Sequence, residues 1–269
     1  MASGNNYTCA DGSLAGNLKG VLAPLIFCAL FFTSTYVRAG EALVAVAANF
    51  SDASKRIKNE FENGHNHKVK LVTGSTGKLY AQIINGAPFD VFLAADTVRP
   101  EKLEADGRAV AGSRFTYALG QLVLWSAQKD LIGDDGAQAL EMGRFRRLAM
   151  ANPDLAPYGA AAIQTLQNLN LHQPLKNKIV MGENAGQAFA LVSSGNAELG
   201  FVPLTFVMNP VGTAKGQKWI VPADKYDPIR QDAVLLMRAK ENEAATRFLT
   251  FLRSDDAKSV IKDLGYGVQ

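Results

Sequence analysis

No apolar run in this sequence is long enough to span a bilayer comfortably. The run Val21–Phe32 is shorter than the stretch of about 20 apolar residues that a membrane helix needs. It follows Lys19 and precedes small residues near Val37-Arg38-Ala39, a pattern typical of a secretory signal peptide and its cleavage site. We therefore predict a signal peptide over residues 1–40 and a periplasmic mature protein. An uncleaved membrane anchor is the alternative.

Cysteine is nearly absent, since Cys9 and Cys28 both lie in the predicted signal peptide. The mature chain would fold in an oxidising compartment without a disulfide, so its stability must come from a core of conventional size. His65 and His67 have a spacing that metals sometimes use, but two ligands are fewer than the three or four that zinc requires. We interpret these histidines as part of a solvated turn, and we predict neither a metal centre nor a cofactor.

Long runs of one charge, internal repeats and low-complexity tracts are also missing from the sequence. The net charge is only +3, and no Lys/Arg-rich run indicates a nucleic acid or an anionic membrane as partner. An adhesion or interaction protein would be expected to show repeats or a large apolar stripe. An α/β enzyme is a weaker alternative, because no base can be placed near Ser75 to activate it as a nucleophile.

What the sequence does contain is an alternation of buried strands and amphipathic helices. The segments Leu43–Ala48, Val69–Thr73 and Asp90–Ala95 are strand-like and are separated by helical patterns. Such an alternation predicts a parallel sheet. A second set of strands and helices begins at Leu148, which predicts a second sheet and a second lobe.

Two segments are predicted to cross between the lobes. Phe115–Ser126 is long for a single strand and contains Gly120, and Ala233–Met237 is the second crossing strand. We therefore predict a discontinuous lobe I, formed by residues 41–124 and 231–269, and a continuous lobe II, formed by residues 125–230.

Four predicted helix starts share one design, because each follows a strand and carries small or neutral residues. They are Ala48-Asn49-Phe50, Gly74-Ser75-Thr76, Pro157-Tyr158-Gly159 and Asn184-Ala185-Gly186. A helix N-terminus has unpaired N–H groups and about half a positive charge, so it attracts anions. Closing the lobes would bring the four starts round one small anion. The simpler interpretation of Ser75 is an N-cap, and Asn49 or Ser51 would cap the first helix.

At these residues the sequence resembles the periplasmic molybdate-binding proteins of ABC importers, the ModA type. The resemblance extends from Leu43 to Val268 and includes Asn85-Gly86-Ala87-Pro88-Phe89-Asp90-Val91-Phe92, Ala94-Ala95-Asp96 and Leu199–Val202. It implies a two-lobed type II periplasmic-binding-protein fold of the α/β class. Two mostly parallel sheets flanked by helices would enclose a ligand cleft between the lobes.

The resemblance also implies a set of ligand contacts, mostly through backbone N–H groups. We call these residues the candidate site: Ala48, Asn49, Ser75, Tyr158 and Ala185. Many relatives have a tyrosine where Pro203 stands, so one hydrogen bond must come from elsewhere, and Asn49 is the expected source. The implied ligand is molybdate or tungstate, delivered by a monomer to the membrane permease of an ABC importer. Another tetrahedral oxyanion, such as sulfate or phosphate, is the alternative ligand.

Overall fold

The computed structural model describes residues 40–208 and 216–268. Except for Gly40, the predicted signal peptide and both cysteines therefore lie outside the described residues. Within the described part of the chain, no helix combines the length and the apolar character needed to cross a membrane.

Ten strands and ten α-helices alternate along the described residues. The strands are β1 (Glu41–Ala47), β2 (Lys68–Gly74), β3 (Val91–Leu93), β4 (Phe115–Gly120), β5 (Leu122–Ser126), β6 (Leu148–Ala151), β7 (Ile179–Gly182), β8 (Leu199–Pro203), β9 (Gln217–Ile220) and β10 (Ile229–Leu235). The helices are α1 (Ser51–Gly64), α2 (Thr76–Ile84), α3 (Val98–Ala105), α4 (Gly136–Met142), α5 (Pro157–Asn168), α6 (His172–Leu175), α7 (Ala185–Ser193), α8 (Leu204–Val207), α9 (Glu243–Phe251) and α10 (Asp255–Asp263).

The first sheet has the strand order β2-β1-β3-β10-β4 and forms the centre of the first lobe. Strand β1 pairs in parallel with β2 and β3, whereas β10 pairs antiparallel with β3 and β4, so four of the five strands run in one direction. Helix α1 covers one face with Ala53, Ile57 and Phe61, which recur every four residues and are buried beside Phe248 of α9. Burying a large apolar side chain of this kind contributes about 1.5–3 kcal/mol.

The second sheet has the strand order β7-β6-β8-β5-β9 and forms the centre of the second lobe. Strand β6 pairs in parallel with β7 and β8, and β5 pairs antiparallel with β8 and β9, so again four of five strands share one direction. Leu124, Leu148, Leu166 and Phe201 are completely or almost completely buried in its core. Both lobes are thus sheets covered by helices, each with its own apolar core.

The chain first passes between the lobes within the segment predicted as one long strand. That segment divides at Gln121, because β4 ends at Gly120 in the first sheet and β5 begins at Leu122 in the second. The segment therefore does run from one sheet to the other, as two short strands.

The chain returns to the first lobe between β9 and β10, where Pro222 and Pro228 lie. Proline has no N–H for a strand ladder, so this connection is irregular. The prediction that the strand Ala233–Met237 crosses between the lobes is wrong. Strand β10 contains most of this segment and pairs only with β3 and β4 among the described strands. The lobe bounds of residues 41–124, 231–269 and 125–230 stay predictions.

Candidate functional site

The helix starts that carry the candidate site lie where the two lobes touch. The short 3₁₀ turn Ala48–Phe50, between β1 and α1, packs against helix α7 of the second lobe. Gly77, in the first turn of α2, donates its N–H to the carbonyl oxygen of Leu155 at 2.8 Å, and Leu155 lies just before the start of α5. The structure therefore brings the starts of the helices together from both lobes.

Ser75 stands at the N-cap position of α2 but does not cap the helix. Its Oγ makes no cap bond and has no hydrogen-bond partner within residues 40–208 and 216–268, although the residue is only 1% exposed. The neighbouring Thr76 is engaged, because its Oγ1 accepts the N–H of Ala95 at 3.1 Å. A buried hydroxyl left unpaired costs about 1–3 kcal/mol. Ser75 therefore holds the predicted N-cap position without the capping hydrogen bond, and its buried hydroxyl needs another explanation.

Asn49 is also no helix cap. Helix α1 has Phe50 at its N-cap and no side-chain cap bond, so the predicted capping by Asn49 or Ser51 is wrong. The Nδ2 of Asn49 instead donates to Oε1 of Gln231 at 2.7 Å, and its main-chain oxygen accepts the hydroxyl of Tyr266 at 2.5 Å. These partners lie 182 and 217 residues away in the sequence, so only the folded chain holds Asn49 in place.

Gln231 and Tyr266 are the residues near the site that sequence reasoning missed. Gln231 is completely buried, and its Oε1 also accepts the hydroxyl of Tyr117 at 3.4 Å. Its Nε2 has no partner among the described residues. The one available signal in the sequence was a glutamine shortly before the apolar run Ala233–Met237, a position where a buried strand rarely carries an amide.

Tyr158 approaches Gln231 from the second lobe. It is 2% exposed, and its hydroxyl makes no hydrogen bond of good geometry to the residues that the structure describes. It packs on Gly120, where an added Cβ would lie 2.2 Å from the hydroxyl of Tyr158 and 3.1 Å from Nε2 of Gln231. Gly120 is thus needed for close approach of the lobes. Burial raises the pKa of the Tyr158 hydroxyl well above its ordinary value, so the phenol keeps its proton at neutral pH.

The second lobe otherwise presents backbone groups to the site. Helix α5 begins with Pro157, which suits this position because its missing N–H would have no partner in any case. Helix α7 is capped by Asn184, whose side chain accepts the N–H of Gln187 at 3.0 Å, and this confirms the predicted helix start. Tyr158 and Ala185 lie in the first turns of these helices, where N–H groups have no intrahelical acceptor.

Charged side chains lie at the edge of the contact between the lobes. Lys78 Nζ and Glu183 Oε2 are 2.6 Å apart across the lobes, and Arg99 donates to the carbonyl oxygen of Asp154 at 3.0 Å. Neither Lys nor Arg occurs among the buried residues of the described chain. The site can therefore offer an anion N–H and O–H donors and helix N-termini, without a buried cation.

His65 and His67, which follow Asn63-Gly64, lie at the edge of the apolar core of the first lobe. His67 is 2% exposed and its Nδ1 accepts the N–H of Gly40 at 3.1 Å, so the prediction of a solvated turn is wrong for this residue. The ring of His65 stacks on Phe61 with centroids 4.5 Å apart. Across residues 40–208 and 216–268, no group of three or more His, Cys, Asp or Glu residues could hold a metal ion.

An interface between two α/β lobes, with buried polar groups at the helix starts, is a common setting for binding a small solute. The sequence profile of the bacterial extracellular solute-binding proteins matches residues 42–267. The chain belongs to that family. This membership, in a family of solute-binding proteins, confirms the expectation that the protein is not an enzyme.

Named relatives agree with the family. The chain is 51% identical over 232 residues to the molybdate-binding protein ModA of Azotobacter vinelandii, which covers 86% of this chain and 92% of that protein. It is 44% identical over 228 residues to ModA of Rhodobacter capsulatus, covering 85% and 88%. The structure of the Azotobacter vinelandii periplasmic molybdate-binding protein matches with a TM-score of 0.82 and 39% identity, over 85% of this chain and 99% of that one. The predicted resemblance and fold class are confirmed.

Proposed function

We propose that this protein captures molybdate or tungstate in the periplasm and delivers the anion as a monomer to the permease of an ABC importer. Two relatives at 51% and 44% identity, which match along most of their length, are molybdate-binding proteins. The family is extracellular, which favours the predicted export.

The candidate site would hold the dianion by hydrogen bonds from both lobes. The first lobe would contribute Ala48, Asn49 and the hydroxyl of Ser75, and the second lobe the N–H groups of Tyr158 and Ala185. The observation that carries this proposal is the Oγ of Ser75, which is buried, makes no capping bond and has no partner in the described part of the chain. A tetrahedral anion among the helix starts would supply the acceptor that this hydroxyl lacks.

The chemistry of the donors favours an anion without protons. Molybdate is a full dianion at neutral pH, so a ring of N–H and O–H donors satisfies its oxygens. Phosphate keeps at least one proton near pH 7, and in a donor-only site that proton would face another donor, at a cost of about 1–3 kcal/mol. Sulfate carries no proton either, so the size of the site, rather than its donor pattern, would separate sulfate from molybdate.

A titration panel of molybdate, tungstate, sulfate and phosphate against the mature protein tests this function. Calorimetry gives the affinities, and thermal unfolding gives an independent reading, because a ligand at 100 times its Kd adds roughly 2.7 kcal/mol of stability. We expect tight and nearly equal binding of molybdate and tungstate, weaker binding of sulfate and the weakest binding of phosphate. Phosphate binding as tight as that of molybdate would remove the donor-only site from consideration.

The proposed location has its own test. N-terminal sequencing of the exported protein should give a first residue near Gly40 or Glu41, which begins β1. Recovery of an intact Met1 form in the membrane fraction would contradict both the signal peptide and the periplasmic role.

A further inference from the structure

One turn of the second lobe offers two neighbouring carbonyl groups to the first lobe. The turn comprises residues 152–156, between β6 and α5. The carbonyl oxygen of Leu155 accepts the N–H of Gly77 at 2.8 Å, and that of Asp154 accepts Nη2 of Arg99 at 3.0 Å. The two donors belong to different helices, α2 and α3. Two bonds to two separate helices fix the position of the turn against the first lobe.

The turn is also held firmly within its own lobe. Oδ1 of Asn152 accepts the N–H of Asp154 at 2.9 Å, and its main-chain oxygen accepts the N–H groups of Leu155 and Ala156 at 3.1 and 2.9 Å. Asparagine commonly stabilises turns in this way. The N–H of Asn152 donates to the carbonyl oxygen of Gly182 at the end of β7. The turn therefore moves together with the strand ends that precede α5 and α7, the two helix starts of the second lobe.

Arg99 is anchored in the first lobe by Asp96, which lies shortly after β3. Oδ1 of Asp96 accepts the N–H of Arg99 at 3.1 Å, and Oδ2 is paired with Nη1 of its guanidinium. Both side chains are partly buried. Burial raises the pKa of the Asp96 carboxyl, and the positive charge of Arg99 offsets part of this effect. Because a guanidinium presents its donors as a fork, one side chain can bond Asp96 and the carbonyl group of the other lobe together.

This contact lies between two residues of the candidate site. An added Cβ at Gly77 would lie 3.1 Å from Nη2 of Arg99 and 3.1 Å from Cα of Leu155, so all three residues meet at one point. Ser75 precedes Gly77 by two positions, and Tyr158 follows Leu155 by three. The bonds at the turn therefore set how far the start of α2 stands from the start of α5.

We propose that Arg99 is a positioning residue for the anion, because its bond to Asp154 holds the starts of α2 and α5 together in the closed form. The inference rests on the proposed function, since an anion between these helix starts is what would draw the lobes together. A bond made only after closure stabilises the bound state and not the first encounter. Its removal should therefore speed the release of the anion and leave the rate of capture nearly unchanged.

The test is Arg99→Lys in the mature protein, with molybdate as the probe. Lysine keeps the positive charge beside Asp96, but its ammonium lacks the fork that also reaches Asp154. By calorimetry, molybdate affinity should fall roughly 2- to 12-fold, as expected for the loss of one hydrogen bond. The release of radiolabelled molybdate into an excess of the unlabelled anion should become faster by the same factor.

Arg238→Lys is the matched control. Nη1 of Arg238 donates to Oδ1 of Asp90 at 2.6 Å and to the carbonyl oxygen of Pro88 at 2.7 Å, and all three residues lie in the first lobe. The control thus removes the same fork from an aspartate and a main-chain carbonyl without affecting a contact between the lobes. It should bind and release molybdate as the parent does. Melting temperatures without ligand check that both variants are folded.

The outcomes separate the two proposals. If the parent binds molybdate and Arg99→Lys releases it at the parent's rate, Arg99 does not hold the lobes together, and the proposed function still stands. The same conclusion follows if Arg238→Lys speeds release equally, or if the lost affinity of Arg99→Lys lies in the rate of capture. If the parent binds none of the four oxyanions, the proposed function is overturned and this inference with it.

Discussion

The first lobe and the second lobe arrange their strands in the same way. In each sheet three strands pair in parallel, the next strand is antiparallel, and the last pairs with that antiparallel strand. The antiparallel strand is β10 in the first lobe and β5 in the second, and in both cases it follows a passage of the chain from the other lobe. The two frameworks are therefore equivalent as supports for helix starts.

The lobes differ in what they present to the site. In the proposed site the first lobe would contribute side chains, since Ser75 has no partner among the described residues and Asn49 is held by Gln231 and Tyr266. The second lobe contributes helix starts whose cap, Asn184, is already engaged with its own helix. Polar side chains in the first lobe should therefore control affinity, whereas the corresponding side chains of the second lobe should control stability.

The largest expected effect is that of a negative charge in the first-lobe part of the site. Ser75→Asp should weaken molybdate binding by about 3–5 kcal/mol, roughly 150- to 5,000-fold, because it places a like charge against the dianion in a buried position. The fold should persist without ligand, since Asp is a good N-cap and α2 attracts negative charge at its start.

Calorimetry on Ser75→Asp is the measurement, and Ser259→Asp is its control, because Ser259 is exposed on α10 of the same lobe. The control should bind molybdate as the parent does. Comparable affinity in Ser75→Asp and Ser259→Asp would place the anion elsewhere.

The next largest loss of molybdate affinity is expected from a substitution that hinders the approach of the lobes, without removing any hydrogen-bond donor. A Cβ added at Gly77 would lie 3.1 Å from both Cα and the carbonyl oxygen of Leu155 in the other lobe. Gly77→Ala should therefore weaken molybdate binding by about 1–3 kcal/mol through overpacking in the closed form only. Without ligand, its melting temperature should be unchanged or higher, because Ala is the better helix former.

Gly64→Ala is the matched control for Gly77→Ala, since Gly64 ends α1 and an added Cβ there would meet no packing neighbour within 4 Å among the described residues. Affinity of the control should match the parent. Small-angle scattering with saturating molybdate should show a larger radius of gyration for Gly77→Ala than for Gly64→Ala. Identical radii and affinities would mean that the Gly77–Leu155 contact does not limit closure.

Removing single donors separates the roles of the two lobes. Asn49→Ala and Ser75→Ala should each weaken molybdate binding by about 1–3 kcal/mol, roughly 5- to 150-fold. Asn184→Ala, the equivalent truncation in the second lobe, should instead lower the free energy of unfolding by about 0.5–2 kcal/mol through loss of a helix cap. Paired calorimetry and chemical unfolding measure both quantities. A large loss of affinity in Asn184→Ala with unchanged stability would show that the lobes do not differ in this way.

The smallest effect is expected at the exposed ion pair across the lobes. Lys78 and Glu183 are 54% and 34% exposed, so their coupling in molybdate affinity should be only about 0.2–1 kcal/mol. A cycle of Lys78→Gln, Glu183→Gln and the double variant measures this coupling, which should fall as salt is raised because exposed charges are screened. Coupling that is large and independent of salt would indicate that this pair is a main closure contact.

The sequence alone determined the class of the fold and the family of the protein. The spacing of apolar residues in strands and helices is a local property of the sequence. The apolar segment Leu43–Ala48 and the four-residue spacing in α1 could therefore be recognised, and the order of the elements follows from such segments. The glycine and alanine helix starts are also local signals, and helical elements do begin at them in both lobes. Neither Asn49 nor Ser51 caps α1, and Ser75 holds the N-cap position of α2 without a capping bond. A polar side chain at a helix start can bond to a distant partner instead, as Asn49 does with Gln231.

Only the tertiary structure decided how the site is held. Gln231 and Tyr266 reach Asn49 from 182 and 217 residues away, and no spacing in the sequence encodes such a contact. The close contact of Gly120 with Tyr158 could not be predicted from the sequence either, because it depends on the position of Tyr158 in the other lobe. Hydrogen bonds and close contacts between the lobes depend on how the two sheets are positioned relative to each other. Local sequence sets the elements of each sheet, whereas the packing of the whole chain sets that contact.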